Sequence, residues 1–79
     1  MPFVYILYSV KLKKYYVGAC TDLDRRLYEH NLVHSKFTST GVPWILRYQE
    51  SFVTLQEAKK RELLIKKMKS RKYIEGLFT

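Results

Sequence analysis

Residues 3–8, Phe-Val-Tyr-Ile-Leu-Tyr, are apolar throughout and rich in β-branched and aromatic side chains, which predicts a strand. A short basic connection over residues 10–14 leads to Tyr-Tyr-Val-Gly-Ala-Cys at 15–20, a second run that alternates as a strand does. The two predict an antiparallel pair. If the alternation holds, Phe3, Tyr5 and Leu7 share a face, and so do Tyr16, Gly18 and Cys20. The connection has no two-residue Asn-Gly signal, so turn type and register stay open. Gly18, inside a strand, predicts that another backbone or a ligand comes close there. Thr21 or Asp22 can then cap a helix that begins at Leu23 and is predicted over 22–32. At ~100° per residue Leu23 and Leu27 form its apolar stripe, and Arg26 and His30, four apart, share the edge of that stripe. Two charge-capable groups therefore face the sheet.

Residues 33–43, with several serines and threonines, Gly41 and Pro43, have no period and read as a loop. Residues 44–52 predict a third strand, with Leu46, Tyr48 and Phe52 alternating against Arg47 and Gln49. Thr54-Leu55-Gln56-Glu57 matches a capping box, so a helix starts near Leu55 and reaches about Lys69. Ser70 can cap a last short helix carrying Tyr73, Ile74 and Leu77. The order is ββαβαα. It predicts one α/β (α+β) domain over 1–79, a small three-stranded antiparallel sheet flanked by helices.

With 79 residues, the chain buries only about 60–65% of the surface its unfolded form exposes, so it is marginally stable alone and would gain from association as a homodimer. Hydrophobic residues at 47% and aromatics at 15% suffice for a packed core and exclude disorder. A formal net charge of +8 favours polyanionic partners, nucleic acid before acidic membrane surfaces. The single cysteine, Cys20, excludes an intrachain disulfide and fits a reducing compartment. No apolar run approaches ~20 residues and no charged-then-apolar leader is present, so the expectation is a cytoplasmic protein without a membrane segment.

Among the carboxylates Glu62 is the most informative, because a helical wheel puts it between Leu55 and Ala58 with Ile65 nearby, on the side the helix should bury. A buried carboxylate needs a cation, and the residues leave two open: a metal ion, or Arg26 at the rim of the core. Over residues 59–72 cations stand at Lys59, Lys60, Arg61, Lys66, Lys67, Lys69, Arg71 and Lys72, with Glu62 the one acid. Such a run is commonly a solvated face. Here it wraps most of the wheel around Glu62, which suits a phosphate track drawing on Lys59, Lys66, Lys67, Lys69 and Arg71. No base-reading motif accompanies it, so shape and charge would govern binding. Tyr5 and Tyr16 are not distinguished by spacing from the tyrosines at 8, 15, 28, 48 and 73. His30 and His34 have chelating spacing without a third ligand for zinc, and Cys20 reads as a small buried residue.

Taken together, Val4-Tyr5, Tyr16-Val17-Gly18, Thr21-Asp22-Leu23, Arg26, His30, Ala58, Arg61-Glu62 and Lys66 resemble the GIY-YIG nuclease family in its small single-domain branch, over nearly the whole chain. Phe3 stands where the first motif has its glycine. The resemblance implies a metal-dependent endonuclease acting on DNA more than RNA. It implies that Glu62 holds one Mg²⁺ or Mn²⁺ ion, that Arg26 stabilises charge on phosphorus, that Tyr5 activates water and Tyr16 positions it, and that His30 assists. The two tyrosines could exchange roles. Two other readings stay open from the residues: a nucleic-acid-binding module of the same fold with little catalysis, and a protein-interaction domain that presents a basic helix.

Overall fold

The computed structural model describes residues 1–31 and 42–78. Six elements follow one another as β1 (Phe3–Ser9), β2 (Lys14–Cys20), α1 (Leu23–His30), β3 (Trp44–Ser51), α2 (Leu55–Met68) and α3 (Arg71–Gly76). The three strands form one antiparallel sheet in the order β2-β1-β3. This is the α+β arrangement the pattern predicts. Residues 33–41 of the predicted loop, His34 among them, and residue 32 at the predicted end of the first helix lie outside the described residues.

Each helix starts where a short polar side chain satisfies a first-turn amide. Asp22, not Thr21, caps α1 by accepting from Arg25 N at 3.1 Å. Thr54 caps α2 through Glu57 N at 3.2 Å, and Ser70 caps α3 through Tyr73 N at 3.1 Å. The far end of α1 is tied to the sheet by Asn31, whose Oδ1 accepts from Trp44 N at 2.6 Å while its Nδ2 donates to Trp44 O at 3.3 Å.

Register decides which residues meet. Phe3 pairs with Cys20, Tyr5 with Gly18 and Leu7 with Tyr16, so the two predicted faces coincide. That face carries Tyr5, Leu7, Cys20 and Trp44, with Phe3, Leu23 and Leu27 packed against them under α1. The opposite face carries Val4, Ile6 and Val17, covered by Ala58 and Ile65 of α2 and by Tyr73, Ile74 and Leu77 at the end of the chain.

The prediction for the third strand needs one correction. Leu46, Tyr48 and Phe52 do not share a face, because the β1–β3 register shifts between Leu46, opposite Leu7, and Tyr48, opposite Ile6. The extra residue on β3, Arg47, is a β-bulge that reverses the alternation. Leu46 joins the α1 side, and Tyr48 and Phe52 join the α2 side.

The β1–β2 loop has four residues between Ser9 and Lys14. Buried Ser9 organises it: its carbonyl accepts from Lys13 N at 2.7 Å and its Oγ from Leu12 N at 3.0 Å. Lys13 closes the turn with φ 56°.

Candidate functional site

The site face brings two of the seven tyrosines together. The rings of Tyr5 and Tyr16 stack with centroids 6.4 Å apart and planes at 27°, and Tyr16 meets the Trp44 ring edge-on at 6.1 Å. Gly18 determines where the Tyr5 ring can lie. A Cβ at residue 18 would overlap the Tyr5 hydroxyl and come within 2.5 Å of its Cζ. The close approach predicted at Gly18 is therefore made by the phenol of Tyr5, which crosses the edge strand β2 at that point.

Burial pushes the Tyr5 phenol well above the ordinary tyrosine range. Tyr16, Cys20 and Glu62 act in the same direction, and the Arg26 guanidinium pulls it back. Arg26 of α1 and Glu62 of α2 thus both act on one hydroxyl, although their helices flank opposite faces of the sheet. A cleft of about 400 Å³ opens between α1 and α2, lined by Cys20, Asp22, Arg25, Arg26, Glu29 and Lys59 among others.

The two key charged groups have partners on their own helices. Glu62, with its side chain 19% exposed, takes the ammonium of Lys66 on one carboxylate oxygen. Arg26 lies 3.6 Å from Glu29, which also binds Arg25 at 3.3 Å. Arg26 therefore has Glu29, and Glu62 has Lys66, where a mutual pair at the rim of the core had been one expectation. Helical spacing of three and four residues brings these nearer partners together without any tertiary contact.

Among the described residues there is no group of three or more His, Cys, Asp or Glu able to hold a metal. A lone, partly buried carboxylate does not fit an all-protein cage. It does fit one hard divalent ion that keeps several waters and takes phosphate oxygens as its other ligands.

The cations of residues 59–72 divide into separate groups. Lys59 lines the cleft beside Arg26, whereas Lys66, Lys69 and Arg71 line a second groove of about 570 Å³ along β2. Lys67 is exposed and lines neither. Arg71 is bound to the hairpin: Nη1 donates to Lys13 O at 3.0 Å, Nε to Glu75 at 3.3 Å, and its guanidinium lies over the rings of Tyr8 and Tyr15.

Arg61, also among these cations, lines neither cleft nor groove. It turns to the other face, with Nε 3.6 Å from Glu50 and Nη1 donating to the Tyr73 hydroxyl at 3.4 Å. Tyr48 donates to the same Glu50 carboxylate at 2.5 Å. The signal was in the spacing. Arg61 stands three residues after Ala58 and four before Ile65, and Glu62 stands four after and three before, so the two flank the buried seam on opposite sides. His30 closes α1, and its side chain lies outside the described residues. Lys13 and Lys14, passed over as part of a basic connection, line the second groove.

Comparison with known proteins gives this arrangement a family. The profile of the GIY-YIG catalytic domain matches residues 1–74. A UPF0213 protein of Halobacterium salinarum is 45% identical over 65 residues, covering 81% of this chain and 83% of that protein. A UPF0213 protein of Staphylococcus saprophyticus is 38% identical over 72 residues, covering 87% and 88%. No solved structure matches the chain at a significant level. Among the described residues no helix is long and apolar enough to cross a membrane. The seat of Tyr5 over Gly18, the extent of the profile match and the similarity to these relatives agree, and the chain belongs to the GIY-YIG family.

Proposed function

We propose that the chain is a nuclease that hydrolyses phosphodiester bonds in DNA by direct attack of water on phosphorus, with help from one divalent ion. The observation that carries this reading is that Arg26 and Glu62 both act on the buried phenol of Tyr5, which stacks on Tyr16, while Arg26 also lines an open cleft with Arg25 and Lys59.

Tyr5, in its ionised form, takes the proton of the attacking water, which Tyr16 orients. As the new P–O bond forms, the bond to the leaving sugar oxygen breaks, and that oxygen takes up a proton from solvent. The resting phenol of Tyr5 is protonated at neutral pH, as tyrosines are, burial holds that proton more firmly, and Arg26 is the side chain that favours the ionised form. Arg26 also holds the phosphate, since a guanidinium is always charged and forks onto two nonbridging oxygens as charge builds there. Substrate must displace Glu29 from it. Glu62 is the residue that would hold magnesium or manganese, with Lys66 giving way. When bound, such an ion supplies Lewis-acid stabilisation of the developing phosphate charge. Lys59 steers the strand into the cleft, and His30, at the end of α1, assists by hydrogen bonding or proton transfer.

The neighbours that cover Arg26 and Glu62 favour a second reading, in which the fold binds nucleic acid without useful cleavage. One panel separates the two. Parent and Arg26→Ala are incubated with single-stranded, duplex and branched DNA and with RNA, in manganese, magnesium or chelator. The nuclease reading expects cleavage of DNA in the divalent ions alone, reduced about 10²–10³-fold in Arg26→Ala. Binding by the parent without turnover on any substrate would leave the binding module.

A further inference from the structure

Among the described residues, both non-glycine positions with positive φ are lysines, Lys13 at 56° and Lys69 at 48°. Lys13 closes the β1–β2 loop and Lys69 caps the C-terminus of α2. Left-handed backbone crowds a Cβ against the following carbonyl, so such positions usually hold glycine or asparagine. A lysine serving solubility alone would avoid that cost at any ordinary exposed position. Here the two strained lysines come from elements far apart in sequence and line one groove.

The groove runs along β2, and its walls differ in origin. Lys13 and Lys14 stand on the hairpin side, and Lys66 and Lys69 on the α2 side. Lys66 is engaged by Glu62, whereas no ion pair among the described residues involves Lys13, Lys14 or Lys69. The floor is apolar, made by Val17, Ile65 and Ile74. Lys66 joins the groove to Glu62, and Tyr16 lines it at the β2 edge.

We propose that this groove is a second phosphate subsite, holding the stretch of nucleic-acid strand that flanks the scissile phosphodiester. A phosphate lies between the Lys13–Lys14 wall and Lys69, and the attached sugar and base rest on the apolar floor. Cationic walls fit the charge of a phosphate, and an apolar floor fits what the phosphate carries better than it fits a second phosphate. The left-handed lysines are then a case of backbone strain retained where a side chain is needed. This subsite rests on the nucleic-acid reading above.

The test reads binding and stability together, in chelator so that cleavage plays no part. Lys13→Gly/Lys69→Gly is compared with Lys11→Gln/Lys60→Gln, which removes the same charge from exposed positions outside the groove. The probes are a fluorescein-labelled duplex and its single strand, titrated over a range of salt. The glycine pair is expected to melt at or above the parent temperature while binding the better probe at least tenfold more weakly at low salt. Its log-log salt slope should flatten by about 0.7–0.9, the share of the one phosphate held between these lysines. The glutamine pair should keep the parent slope. Equal weakening by both pairs would mean that net charge alone binds, and parent-like affinity of the glycine pair would mean that the groove is not used; either overturns the subsite. A parent that binds neither probe would remove the nucleic-acid reading and the subsite with it, whereas a parent that binds but never cleaves removes the catalytic reading alone.

Discussion

The two faces of the sheet each carry an arginine–glutamate pair, and the pairs are built for different purposes. On the face covered by α2 and α3, Arg61 and Glu50 are 23% and 33% exposed, and tyrosines 48 and 73 hold them in place. On the face covered by α1, Arg26 and Glu29 are 52% and 39% exposed, and Glu29 is shared with Arg25. A pair partly withdrawn from water and fixed by other side chains resists exchange, because stranding either partner costs desolvation. An exposed pair is worth little, so its carboxylate can be traded for a phosphate. The first arrangement stabilises the fold. The second keeps an arginine available.

The largest break in this comparison comes at Gly18, where one methyl group would strike the site and leave the other face untouched. Gly18→Ala pushes the Tyr5 phenol out of its seat, and overpacking of this kind costs ~1–3 kcal/mol of stability. Cleavage should fall at least as far as in a variant that lacks the Tyr5 hydroxyl. In a Tyr5→Ala background the same Gly18→Ala change should cost little more in either stability or rate. That non-additivity is the signature of direct contact, and simple addition of the two effects would show that Gly18 serves something other than Tyr5.

Tyr5 itself gives a smaller break with a pH dependence. Because burial raises its pKa, the ionised fraction grows about tenfold per pH unit throughout the range below that value, so cleavage should still be climbing between about pH 7 and 9. Tyr5→Phe should lower the rate by ~10²–10⁴-fold and flatten the profile, and Tyr15→Phe should do neither. The fold should survive the upper end of this range. A folded-state pKa raised above the unfolded value of 10.0 contributes stability that is fully present below pH 10 and lost only as pH rises through the folded value. A rate that levels off near neutrality in the parent would move the base away from Tyr5.

Much of the fold was legible because its signals are local. Asp22, Thr54 and Ser70 announce their helices within a few residues, and the apolar runs announce the strands. What could not be read depends on partners distant in the chain. The bulge at Arg47 exists only relative to β1, and the inward turn of Arg61 needs Glu50 and Tyr73 beside it. The left-handed turn of Lys13 follows from Ser9, a buried serine with no motif to mark it. Gly18 was marked as a place of close approach, but the sequence does not say that the approaching group is Tyr5. The ion pairs show the reverse error. Glu62–Lys66 and Arg26–Glu29 could be read from helical spacing, and a pair between Glu62 and Arg26 at the rim of the core was weighed in their place.

The smallest expected effect is the sharpest test of the contrast between faces, because the same chemical change is made on each. Glu50→Gln keeps an acceptor for Tyr48 but leaves Arg61 without its counter-charge in a partly buried setting, which should cost about 1–2 kcal/mol of stability. Affinity for DNA should not change, since Arg61 faces away from the cleft. Glu29→Gln removes the carboxylate shared by Arg25 and Arg26 at an exposed place where each pair is worth under ~1 kcal/mol, so the melting temperature should hardly move. Two guanidinium groups are then no longer neutralised, and affinity for DNA at low salt should rise by about fivefold or less, the most that such a pair can withhold. The gain should shrink as salt screens the cleft. If Glu29→Gln loses stability as Glu50→Gln does, or leaves affinity unchanged, the α1 pair is structural and Arg26 is not held in reserve for phosphate.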